Sequence, residues 1–321
     1  MELRKLIAFG KATYSITLPK KWVTENALVK GDLILIQEKS PEKLEISPKL
    51  GEQQELIKEV TLSVNDKSSK ELERELITAY INDYSIINLI GNVQGKVREI
   101  REMLNELIGL EIMEVSNNKT VAKVFSDVTN THVSNIIRRI SLITKAMFEE
   151  LQSLFEGERN YASMVDSDRE VNRQTYFATR ILTKAIKSTH FRGLIKMELT
   201  EAAFALKVID MQEKIGDQLK NMARQLCDAA LLKKSKAKFN KEFAKYTHEI
   251  LVAYENAVKA YIMHDRKLAG NTIEETRIIR EKLDVYIKEH CELPVPYVLG
   301  NLGVLASHIA DLGLVVYNTE F

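Results

Sequence analysis

With 321 residues, 45% of them hydrophobic and 28% charged, and a mean hydropathy of −0.18, the chain reads as a soluble protein of two or three domains. A formal net charge of +1 excludes a polycation, so any affinity for nucleic acid must come from a local patch. The two cysteines, Cys227 and Cys291, are far apart, which excludes a disulfide scaffold and a zinc ribbon and fits reduced thiols in a cytoplasmic protein.

The start, MELRKLIAFGK, has no apolar core, so no signal peptide is expected. Residues 1–50 predict short strands. Leu3 to Phe9 ends at a Gly10-Lys11 turn, and Tyr14 to Leu18 alternates polar and apolar residues. Pro19 suits the first position of a short helix through Leu28. Lys30-Gly31-Asp32 then turns the chain into strand Leu33 to Gln37, followed by strand Lys43 to Ser47.

Residues 51–126 predict a small βαβαββ sandwich. Its parts are a strand at Glu59 to Val64, a helix from Lys70 to Asn82, a strand at Ser85 to Ile90, a helix from Val97 to Ile108 stopped by Gly109, and strands Glu111 to Val115 and Thr120 to Phe125. The five prolines (Pro19, Pro41, Pro48, Pro294, Pro296) leave 49–293 free of proline, which permits long helices. Residues 127–321 accordingly predict helices near 130–155, 160–188, 196–231, 236–263, 266–290 and 297–317, with breaks at Gly157, Ser188 to Gly193 and Lys233 to Lys238. The apolar stretch from Pro294 to Tyr317 contains Asn301, His308 and Asp311. It is expected to be a buried helix rather than a membrane span.

The helical block also matches itself. Glu158, Ala162 and Asp168 align with Asp265, Ala269 and Glu275, and EKIGD at 213–217 aligns with SHIAD at 307–311. Two copies of a three-helix unit, about 127–232 and 233–321, explain the match; coincidence between helical sequences is the alternative.

The strings DREVNR (168–173) and EKIGDQLKNMA (213–223) resemble the paired signatures of the PhoU family of phosphate-signalling proteins. ITLPKKW (16–22) and KGD (30–32) resemble the AbrB/MazE (SpoVT-AbrB) swapped-hairpin fold. The first resemblance covers about 127–321; archaeal proteins that join the two modules are similar, and the middle block looks like the spacer such fusions carry. The resemblance implies a multi-domain, mainly α protein. It would have an N-terminal swapped-hairpin module that forms a homodimer, an α/β spacer, and a PhoU-like pair of three-helix bundles. It further implies a metal site on the first repeat, from Asp168, Asn172, Glu213 and Asp217, for a divalent or iron-type ion (Zn, Fe, Mg or Mn). Residues at i and i+4 share a helix face, so Glu213 and Asp217 could offer two oxygens to one cation. The second copy departs from the pattern at Ile279 and Ser307. The same acidic face equally fits a solvated surface paired with Lys214, Lys220 and Arg224, behind the apolar stripe Ile215, Leu219, Met222 and Leu226.

Within residues 1–50, nine Lys/Arg oppose six Asp/Glu. Arg4, Lys5, Lys11, Lys20 and Lys21 form a candidate DNA-binding patch that a two-fold dimer would double. The bland alternative is a dimerisation module whose lysines confer solubility. No nucleotide loop or HExxH motif is present, and the six histidines fall singly (His132, His190, His248, His264, His290, His308), so no enzyme is expected. The expectation is a DNA-binding regulator of phosphate-uptake genes that senses a metal or a protein partner. Its rival is a non-DNA adaptor that docks on a phosphate transporter or signalling kinase.

Overall fold

A computed structural model describes residues 3–9, 13–40, 42–48, 57–126, 128, 131–156, 161–227, 237–292 and 295–319. Lys11 and the Gly10-Lys11 turn, Gly157, Glu158, residues 233–236 and Pro294 lie outside the described residues. The chain is mainly helical, with small sheets toward its N-terminus, and divides into two compact units, Met1–Ile57 and Lys58–Phe321.

The first unit holds two antiparallel hairpins. In one, β1 (Ile7–Phe9) pairs with β2 (Thr13–Ser15); in the other, β3 (Ile34–Ser40) pairs with β4 (Lys43–Pro48). Between them lies α1 (Lys20–Glu25). Pro19 takes the N-cap position in extended backbone rather than the first helical position, and its carbonyl accepts from the Val23 amide. The helix stops before Leu28 because Ala27 adopts φ of 49°, a left-handed conformation that breaks the hydrogen-bond ladder. Gly31, at φ of 100°, makes the following turn, and the Asp32 carboxylate accepts from the Val29 amide at 2.7 Å.

In the second unit β5 (Glu59–Ser63), α2 (Ser69–Ile81), β6 (Ile86–Ile90), α3 (Val97–Asn105), β7 (Leu110–Val115) and β8 (Lys119–Val124) follow in order. The four strands form one sheet in the order β5-β6-β8-β7, with β5 parallel to β6 and the other pairs antiparallel. Ser68 caps α2 in a reciprocal box with Glu71, which satisfies amides that would otherwise have no helical partner. Helix α3 ends three residues before the expected Ile108. Gly109 sits instead in the turn entering β7, at φ of 76°, where a Cβ would lie 2.7 Å from that of Ser126. Leu72, Leu76 and Tyr80 of α2, Ile100 and Leu104 of α3, and Ile87 and Leu89 of β6 close a core over one face of this sheet.

Seven helices follow among the described residues: α4 (Val133–Glu156), α5 (Tyr161–Lys187), α6 (Thr189–Ile195), α7 (Leu199–Leu226), α8 (Ala237–Met263), α9 (Arg266–Glu289) and α10 (Val295–Tyr317). In each of the sets α4/α5/α7 and α8/α9/α10, every helix touches the other two, and the sets meet through α4 with α8 and α7 with α10. The fully buried Gln212 of α7 donates to the Ile137 carbonyl at 3.2 Å and to the Tyr254 hydroxyl at 3.1 Å, tying the two sets together. Helix α10 is long and apolar enough to cross a membrane, yet Leu299, Leu302, Leu305, Ile309, Leu312 and Val316 are buried against its helical neighbours. The segment Ser188 to Gly193, expected as a break, opens α6: Ser188 caps it through the Phe191 amide, and Phe191 is buried.

Candidate functional site

The acidic residues singled out in the helical block fall on two touching helices. Asp168 and Asn172 lie on α5, and Glu213 and Asp217 lie on α7. Gly216 helps the helices approach, because a Cβ there would already be 3.4 Å from Val171 of α5. The apolar stripe Ile215, Leu219, Met222 and Leu226 is buried, so the carboxylates occupy the edge of the helix seam.

Lys220 occupies the centre of this cluster. Its ammonium donates to Asp168 Oδ2 at 2.7 Å and to Asp217 Oδ1 at 2.7 Å, joining α5 to α7. Asn172 donates to the same Asp168 oxygen at 3.4 Å. Burial pushes the Asp168 carboxyl above its usual range, and the Lys220 ammonium works against that rise. Burial also opposes the charge on Lys220, but its two carboxylate partners prevail and its pKa rises. Burial, with Asp217, Asp210 and Asp168 nearby, pushes the Glu213 carboxyl up to about 7, and the Lys220 ammonium works against that rise.

This donor set does not fit a metal ion as arranged. An ammonium already lies between the two aspartates, and among the described residues no group of three or more His, Cys, Asp or Glu side chains gathers as ligands. In the second helical set Glu275 and Asp311 are exposed, Ile279 is buried and Ser307 bonds back to the Gly303 carbonyl.

The cluster is linked to the sheet through α5. Tyr176, whose hydroxyl is raised by burial and by the nearby Glu73, Glu213, Asp168 and Asp217, packs against the core of the α/β region. One turn on, the buried Arg180 donates to the Tyr80 and Tyr84 carbonyls at 2.5 and 3.0 Å and pairs with Asp83 at 2.9 Å. A guanidinium is suited to the C-terminal end of α2, where carbonyls lack helical partners and the helix dipole is negative. Asp83 itself stands at φ of 67°. The sequence places Lys220 on the acidic face of α7, but nothing in its spacing points to Asp168 of α5 as a partner or to Arg180. The only sequence hint was a cation three positions from Asp217.

In the first unit, Arg4 and Lys5 precede β1, while Lys20 and Lys21 open α1; all four are exposed, and Lys21 lies 3.8 Å from Glu25. Among the residues of this unit whose side chains are described none is buried, and Leu3, Leu6, Tyr14, Val29, Leu33 and Leu44 are each more than half exposed. Comparison with family models, with curated proteins and with solved structures finds no match for this chain.

Proposed function

We propose that the protein is a dimeric DNA-binding regulator of phosphate-uptake genes, in which the first unit joins a second copy and grips DNA while the helical unit receives the signal. One observation carries this reading: the first unit places apolar and basic side chains at its surface, and none of the side chains described in it is buried. Two-stranded hairpins are marginal alone, because a pair of strands has no second layer to close on. A second copy would supply that layer and double the local excess of positive charge. Arg4, Lys5, Lys11, Lys20 and Lys21 would then contact phosphates along one duplex. The phosphate-responsive role rests on the resemblance of DREVNR and EKIGDQLKNMA to PhoU signatures.

Signalling through the helical unit is assigned to a partner-induced change rather than to a bound ion, because Lys220 takes the position a cation would need. Elemental analysis of the wild type beside Glu213→Ala/Asp217→Ala tests that assignment. A metal held by the wild type and lost in the variant would restore the metal reading.

For DNA binding, a mobility-shift titration over a salt series is decisive. Affinity should fall steeply with salt and drop further in Arg4→Ala/Lys11→Ala. Weak binding that is equal in the wild type and the variant would leave the adaptor reading in its place.

A further inference from the structure

The sheet of the second unit has two edges, and they differ. On β7 the register shifts between Ile112 and Glu114, and Glu111 and Glu114 place charge on the strand. Bulges and charges are the devices by which proteins keep an edge from pairing. On β5 the register to β6 runs without a shift from Glu59 to Ser63. The Lys58 carbonyl accepts from the Ile86 amide and the Val64 amide donates to the Ile90 carbonyl, so the even-numbered residues bond inward. The amides and carbonyls of Glu59, Thr61 and Ser63 therefore point to the open side, where no described strand pairs with them.

Beside this edge lies a cavity of about 530 Å³ between β5 and α2. Val60, Leu62 and Ala79 give it an apolar floor, and Lys58, Arg74 and Lys187 bring positive charge to its walls, with Lys58 3.9 Å from the Asp83 carboxylate and Lys187 donating to Asn82 Oδ1 at 2.8 Å. Glu75, its one carboxylate, is paired with Lys67 at 2.5 Å. We propose that this groove is a docking site for an extended acidic segment of a partner protein. The segment would add to β5 as a fifth strand, with its carboxylates facing Lys58, Arg74 and Lys187. Strand addition supplies main-chain hydrogen bonds that any sequence can make, while alternate side chains enter the groove and set the choice of partner. The site is independent of the DNA-binding reading, since it uses none of the residues of the first unit.

The test titrates the full-length protein with a fluorescein-labelled peptide of alternating valine and glutamate. Controls carry lysine in place of glutamate or N-methyl groups on alternate amides. The acidic peptide should bind saturably and slow amide exchange at Glu59, Thr61 and Ser63. The lysine and N-methylated peptides should bind about tenfold more weakly or not at all, and Arg74→Glu/Lys187→Glu should weaken the acidic peptide by about tenfold. Both controls that alter the peptide leave the protein intact, so the result does not depend on the variant folding. Unchanged exchange at those amides, or equal binding by the N-methylated peptide, overturns the proposal. So does a mass that halves in Thr61→Pro without peptide, because the edge would then be covered by a second copy.

Discussion

The two units of this chain use similar apolar side chains to opposite ends. In the second unit Leu72, Leu76, Ile87 and Leu89 are fully buried, because helices cover one face of a four-stranded sheet. In the first, Tyr14 of β2 is 66% exposed and Leu44 of β4 is 63% exposed, because among the described residues two hairpins of two strands each have no layer to close against. Hydrophobic content therefore does not make a core. Closure needs a second layer, and among the described residues of the first unit none is supplied.

The largest test of this contrast is deletion. A chain of residues 58–321 should be monomeric by light scattering and should melt cooperatively, whereas the full chain should be dimeric at micromolar concentration. A deletion product that remained dimeric, or a full chain that ran as a monomer with its hairpins folded, would break the comparison.

Next in size is Arg180→Ala. Removing a guanidinium that is 4% exposed takes a charged donor from the Tyr80 and Tyr84 carbonyls and leaves Asp83 with only the more distant Lys58 and Lys184, at 3.9 and 3.8 Å. Loss of one partner from a buried pair costs about 3–5 kcal/mol. Urea denaturation should show that loss, and amide exchange should rise in α2 before it rises in α7. A cost near zero would mean that the sheet is held to α5 by apolar contact alone.

Third comes Lys220→Met, which keeps the length of the side chain and removes its charge. Asp168 would then face Asp217 without the shared ammonium, at a cost of about 1–2 kcal/mol given its partial exposure to solvent. The same variant in an Asp168→Asn background should cost less, and the difference measures the coupling between α5 and α7.

These sites also show what the sequence made legible. The strand expected at Glu59 to Val64 is observed as Glu59–Ser63, and the helix expected from 160 to 188 as Tyr161–Lys187, because apolar periodicity and capping are local signals. The helix Thr189–Ile195 was hidden inside a polar run, where a serine cap reads equally well as a turn. The acidic face of α7 could be read from spacing. The bridge from Lys220 to Asp168 spans 52 positions and that from Arg180 to Tyr80 spans 100, and both depend on how elements pack. No periodicity within one helix reports its register against another.

The smallest effect is the most specific, because it separates a strained carboxylate from a merely exposed one. Glu213 has a folded pKa of about 7, raised first by burial and then by Asp217, Asp210 and Asp168, against an ordinary value of 4.5. Between those values the folded state binds more protons than the unfolded state, so stability falls as pH rises from 4.5 toward 7 and levels off above it. Glu213→Gln removes the charge and should flatten that slope. It should be more stable than the wild type at pH 8, by about 1 kcal/mol once solvent screening at this half-buried position is allowed for. At pH 4 the two proteins should be nearly equal. If the variant is instead less stable at pH 8, the ionised carboxylate has a cation beside it in solution, and the seam between α5 and α7 binds more charge than Lys220 alone supplies.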